Sequence, residues 1–104
     1  MSTPARSVHF AALVEKQPEN PLFRFSLAQA LLNEKREADA VEHLVQCAGG
    51  RADWMMPRIL LGKALLHLGR TAEAKPWLEA ALTLAIEQDH QDPEGEVRAL
   101  LAGL

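Results

Sequence analysis

The stretch RFSLAQALLNEKREADAVEHLVQCA, Arg24–Ala48, returns 34 residues later as RILLGKALLHLGRTAEAKPWLEAAL, Arg58–Leu82, without a gap. The two copies agree at nine of 25 positions: Arg24/Arg58, Leu27/Leu61, Ala30/Ala64, Leu31/Leu65, Leu32/Leu66, Arg36/Arg70, Ala38/Ala72, Ala40/Ala74 and Leu44/Leu78. A fixed period of this length is the mark of stacked supersecondary units, each covering the apolar face of its neighbour. The spacing inside each copy is helical. Leu22, Phe25, Leu27, Ala28, Leu31 and Leu32 repeat at three- and four-residue steps, then a polar break at Asn33–Arg36 separates them from Ala40, Val41, Leu44, Val45 and Cys47. Each copy therefore reads as two antiparallel helices.

Start and stop signals set the expected boundaries. Asn20-Pro21 opens the first pair, whose second helix runs from about Glu37 and stops at Gly49-Gly50. The second pair starts near Asp53, carries Pro57 in its first turn and ends its first helix at Gly69; Thr71 is the expected cap of the next helix. Pro76 lies beyond the first turn of that helix and predicts a bend or a late start. Upstream, Ser2 and Thr3 before Pro4 begin a helix that carries Val8, Phe10, Ala11, Leu13 and Val14 as far as Pro18. Downstream, the polar linker Glu87–Asp92 and the signal Asp92-Pro93 precede Val97, Leu100, Leu101 and Leu104 on one side of a last helix. The expected layout is one domain: an N-terminal helix over 4–17, a first pair over 20–50, a second over 53–88, and a capping helix over 92–102.

Within the copies, Leu27-Ala28, Leu31, Ala40, Leu44 and Cys47, and then Leu61-Gly62, Leu65, Gly69, Ala74, Leu78 and Ala81, resemble the pattern of the tetratricopeptide repeat family. Phe10, Leu13 and Pro18 look like the second half of a preceding repeat, so the resemblance covers about residues 6–86. It implies an all-α fold, a right-handed array of antiparallel helix pairs with a C-terminal capping helix. Close approach of each pair is expected through Ala28 and Gly62 on one side and Ala40 and Ala74 on the other. The chain departs from the family pattern at Lys35, where a turn glycine is usual, at Arg24 and Arg58, where an aromatic is common, and at Pro76.

By the same resemblance, the first helix of each pair lines a concave groove. The lining residues it implies are Leu22, Phe25, Gln29, Leu32 and Asn33 from one pair and Met56, Ile59, Lys63, Leu66 and His67 from the next. Relatives that clamp the acidic C-terminus of a heat-shock chaperone present lysine and asparagine at matching places; Phe25, Gln29 and Ile59 stand there in this chain, so that activity is not expected. An apolar groove has three candidate occupants: a helix or extended peptide of another protein, the same surface of a second copy, or the chain's own last helix. Docking in the groove would use Phe25, Leu32, Ile59 and Leu66 as anchors, with Gln29, Asn33, Lys63 and His67 fixing direction. The expected function is a non-enzymatic adaptor that binds a protein or peptide partner. The alternative is a self-associating homodimer, through the grooves or through the corner Trp54-Met55-Met56, which otherwise seals the junction between pairs.

Composition excludes other classes. Fourteen acidic against eleven basic side chains leave a net charge of −3, unsuited to gripping a nucleic acid backbone. No apolar run is long enough to cross a bilayer, and the opening residues carry no export or transit signal, so the expected location is the cytoplasm and the expected object a complete small protein. The single Cys47 fits a reducing compartment and reads as a small buried hydrophobe rather than a nucleophile. His9, His43, His67 and His90 have no ligand spacing, and the acidic stretch Asp89–Glu96 lacks the alternating oxygens of a calcium loop. No metal, cofactor or catalytic constellation is expected.

Overall fold

The computed structural model describes residues 5–104 and contains, among them, six α-helices and no strand. They are α1 (Arg6–Lys16), α2 (Pro21–Asn33), α3 (Glu37–Gly50), α4 (Met55–His67), α5 (Thr71–Glu87) and α6 (Gln91–Ala102). Each packs chiefly on its neighbours in sequence, so that α2/α3 and α4/α5 form the two hairpins and α3 against α4 joins them. The stack measures 44 × 26 × 22 Å. Its core runs through Leu27, Leu31, Leu44, Ile59, Leu61, Leu65, Leu78 and Val97, so that every helix from α2 to α6 contributes to one continuous interior.

Helix starts follow the sequence signals in part. The Asn20 side chain accepts from the Leu22 and Phe23 amides at 3.0 and 3.3 Å, with Pro21 in the first position where its missing N–H is harmless. Thr71 is not a cap: Arg70 takes that place without a side-chain bond, and Thr71 is the first helical residue. The last helix begins at Gln91, ahead of the Asp92-Pro93 signal, with His90 as its cap. A late start of α5 does not occur, and Pro76 falls at the sixth residue of a helix assigned from Thr71 to Glu87. The expected cap at Ser2, Thr3 and Pro4 lies outside the described residues. Within them, the start of α1 is held by a distant group: Glu34 accepts from the Ser7 amide at 3.1 Å and the Ser7 hydroxyl at 2.7 Å. That pairing holds the Glu34 carboxyl below its ordinary range.

Three helix ends share one geometry. The amides of Arg36, Arg70 and His90 reach back to the carbonyls of Leu31, Leu65 and Ala85 at 2.8, 2.8 and 2.9 Å, and the residue before each, Lys35, Gly69 or Asp89, sits at φ 61°, 77° or 57°. Lys35 thus occupies a left-handed position that its counterpart fills with glycine. Relief of the Cβ crowding, less the greater freedom glycine has in the unfolded chain, should stabilise Lys35→Gly by about 0.5–1 kcal/mol. Its melting temperature should rise by roughly 2–6 °C, read by thermal unfolding; a lower value would show that the lysine is not strained. By contrast α3 runs through Gly49 and Gly50, which are helical and face open space.

The two arginines at aromatic positions have a common task. The Arg58 guanidinium donates to the carbonyls of Ala48, Arg51 and Trp54 at 3.0, 3.1 and 2.7 Å, which closes the C-terminal end of α3 and the loop that follows. Arg24 does the same for the Pro18 carbonyl at 3.2 Å and also donates to Nδ1 of His43 at 3.0 Å. An aromatic ring could fill the space but could not satisfy three loop carbonyls.

Candidate functional site

Two hollows on one side of the stack share Leu32 and Leu60 and so form one cleft across α1, α2 and α4. The first, about 330 Å³, is lined by Arg6 and Phe10 of α1, by Gln29, Leu32 and Asn33 of α2, and by Leu60 of α4. The second, about 190 Å³, lies between Leu32, Glu37, Leu60, Lys63 and His67. The floor is apolar and the rim carries amides and cations. Register explains this: Gln29 and Lys63, and Asn33 and His67, are 34 residues apart and project from corresponding turns of α2 and α4.

The residues expected to line a groove separate into three groups. Gln29, Leu32, Asn33, Lys63 and His67 do come together in the cleft. Leu22 and Met56 are 60 % and 43 % exposed at the starts of α2 and α4 and line neither hollow. Phe25 packs its ring 4.9 Å from that of Trp54, and Leu66 is half-buried against the core. Ile59 is a correction: at 3 % exposure it belongs to the interior, and Leu60 takes the cleft position. Phe10 and Arg6 were also unforeseen as lining. The signal was present, because Phe10 stands one period before Leu44, a fully buried residue, but no described helix covers it from the far side.

Carboxylates of α3 and α6 shape the rim. Lys63 Nζ lies 3.6 Å from Glu96 of α6, and His67 Nε2 lies 3.6 Å from Glu37. The Arg6 guanidinium carbon rests 5.7 Å from the centre of the Phe10 ring. The last helix therefore reaches only the edge of the cleft; it packs on α5 and supplies no lining residue, so self-filling by α6 is overturned. Nor is the Trp54-Met55-Met56 corner an open patch. Trp54 is covered by Phe25 and by Arg51, Met55 is buried, and only Met56 is exposed. Another hollow, about 380 Å³ between α1 and α3, is rimmed by Arg36, Asp39, Glu42 and His43 and is less apolar.

Among the described residues, burial shifts two titratable groups, Cys47 and His43. Cys47 is 2 % exposed, its Sγ 3.8 Å from the Pro21 carbonyl, and burial pushes the thiol above its ordinary range against a smaller opposing pull from Arg24. Burial, and then the Arg24 charge, hold His43 below its ordinary 6.5. Because arginine can only donate, His43 Nδ1 accepts and the neutral ring keeps its proton on Nε2. In the unfolded chain the ring takes up a proton near pH 6.5 while the folded chain resists it, so stability should fall as pH drops below that value, until the folded ring itself titrates. Urea midpoints measured from pH 7.5 down to 5 should decline in the native sequence and decline less in His43→Gln. Equal slopes would remove His43 as the cause. Among the described residues no group of three or more His, Cys, Asp or Glu is placed to hold a metal, and no helix is long and apolar enough to cross a membrane.

Comparison with known proteins agrees with this geometry. Residues 8–46, from within α1 to near the end of α3, match the tetratricopeptide repeat family. The solution NMR structure of a tetratricopeptide repeat domain protein from Salinibacter ruber superposes with a TM-score of 0.72 over 84 % of this chain and 88 % of that one, at 24 % identity. No curated protein matches the chain.

Proposed function

We propose, from the premise that this chain is a tetratricopeptide-repeat protein, that it is a non-enzymatic adaptor which holds a peptide or helix of another protein in the α1–α2–α4 cleft. The observation that carries the reading is the continuity of the two hollows through Leu32 and Leu60, an apolar floor beneath the donors Gln29, Asn33, Lys63 and His67. Apolar side chains of the partner would seat between Phe10, Leu32 and Leu60, and its carbonyls or carboxylates would meet the rim. The same reading places the protein in the cytoplasm, where Cys47 stays a thiol.

A displayed peptide library selected on the protein provides the test, followed by amide chemical-shift mapping of one selected peptide. Shifts are expected at Gln29, Asn33, Lys63 and His67. Shifts confined to the opposite side, at Glu42, Gln46, Glu79 and Thr83, would overturn the cleft as the binding site.

A further inference from the structure

The two halves of the cleft differ in charge. Arg6 is the one ionised side chain lining the first hollow; it is exposed and its guanidinium rests on the Phe10 ring. Among the described residues no carboxylate pairs with it. Glu34, drawn close through Ser7, commits its oxygens to that serine and to Arg36, 3.7 Å away, and lines neither hollow.

The second hollow has the opposite balance. Glu37 and Lys63 line it, but Lys63 Nζ already lies 3.6 Å from Glu96, so the hollow and its rim carry two carboxylates to one ammonium. His67, 3.6 Å from Glu37, adds a charge only when protonated. Glu37 is the acid best placed to act on a ligand. Its side chain is 17 % exposed, whereas that of Glu96 is half open to water, and a charge in a partly dry concavity is screened less. Between the halves, Leu32 and Leu60 form an uncharged waist shared by both.

We propose that the cleft selects its partner by charge on either side of an apolar anchor: one apolar side chain seats on the waist of Leu32 and Leu60, an acidic one enters the Arg6 hollow, and a basic one enters the Glu37 hollow. The inference rests on the cleft being the binding site, and it narrows that reading to a segment of mixed charge. A carboxylate entering the second hollow must displace Glu96 to reach Lys63 and faces Glu37. A lysine or arginine there meets Glu37 with Lys63 already neutralised. In the first hollow a cation meets Arg6, while a carboxylate gains that guanidinium together with the amides of Gln29 and Asn33. Because the hollows share their waist, the two charges must flank the anchor closely in the partner's sequence.

Selections from one displayed peptide library on the native protein, on Arg6→Glu and on Glu37→Lys test this, with amide shifts measured for one peptide from each. Peptides taken by the native protein should carry an acidic and a basic residue on opposite sides of an apolar one, in either chain direction. Arg6→Glu should exchange the acidic residue for a basic one, and Glu37→Lys the basic residue for an acidic one. Glutamine in place of either charged residue of a native-selected peptide should weaken binding about fivefold at low salt and less at high salt. Arg6 is exposed, and Asp39 remains in the first turn of α3 when Glu37 is replaced, so circular dichroism should show both variants folded. Arg6→Gln and Glu37→Gln are the milder pair, in which the corresponding preference should vanish rather than invert. Peptides that shift Gln29, Asn33, Lys63 and His67 yet show no charge pattern, or the same pattern on every variant, overturn this inference and leave the cleft as the binding site. An empty selection, or shifts confined to the opposite side of the stack, removes both.

Discussion

Ile59→Asp should unfold the domain, while Leu60→Asp, one residue along, should leave it folded and remove the cleft's floor. Ile59 is 3 % exposed within the continuous core, so an aspartate there must be ionised without water or partner, or stay protonated at a similar cost. The expected loss exceeds about 4 kcal/mol, comparable to the whole stability of a domain this size. Leu60 is only partly covered and its side chain faces the cleft. Its replacement should cost about 1–2 kcal/mol in stability. Affinity for a cleft ligand should fall about thirtyfold, the loss of one well-seated apolar anchor. Far-UV circular dichroism and urea unfolding separate the two variants. A folded Ile59→Asp would show that the interior is assigned wrongly, and a Leu60→Asp that binds a selected peptide as well as the native chain would remove the cleft from the binding reaction.

The second large effect concerns the tight crossing of α4 and α5. A Cβ on Gly62 would overlap a methyl of Leu78 and lie 2.6 Å from its Cγ, and Leu78 is fully buried with no room to turn away. Gly62→Ala should therefore destabilise by about 1–2 kcal/mol, overpacking being partly offset by the better helix propensity of alanine. Leu78→Ala should cost about 3–4 kcal/mol, the lost burial plus the cavity. The double variant is the informative one: the new methyl at position 62 enters the space vacated at 78, so its cost should fall at least about 1 kcal/mol short of the sum. Strict additivity in urea unfolding would mean that the two positions do not share that space. In the first hairpin Ala28 and Leu44 hold the corresponding places, both buried, so an alanine at this crossing is compatible with the fold.

The contrast between residues 59 and 60 also marks where the sequence stops being legible. The four central helices and the two hairpins follow from the 34-residue period, because identical spacing forces identical packing, while α1 and α6 follow from their own apolar spacing and flanking prolines. Which side of α4 faces the cleft does not follow. Ile59, Leu60, Leu61, Leu65 and Leu66 encircle that helix because α3 and α5 cover it from two directions, and a helix that is apolar on most sides gives no period to read. The tasks of Arg58 and Glu34 were hidden for another reason. Arg58 satisfies the carbonyls around the α3–α4 loop, four to ten residues back, and Glu34 the Ser7 amide 27 residues back, and the apolar period of a helix records neither kind of partner. Lys35 was visible as a departure from the glycine pattern. Its left-handed backbone, shared with Gly69 and Asp89, gives that departure a physical meaning.

Because each helix rests chiefly on the helices next to it in the chain, the domain is assembled like a row of books rather than an arch. Few distant segments must find one another before the first contacts hold, which favours rapid folding from either hairpin outward. Under tension applied at its two ends the row should peel from the outside, α1 and α6 first, and a tethered ligand lying across α1, α2 and α4 would act as a clasp that delays the peeling on one side only.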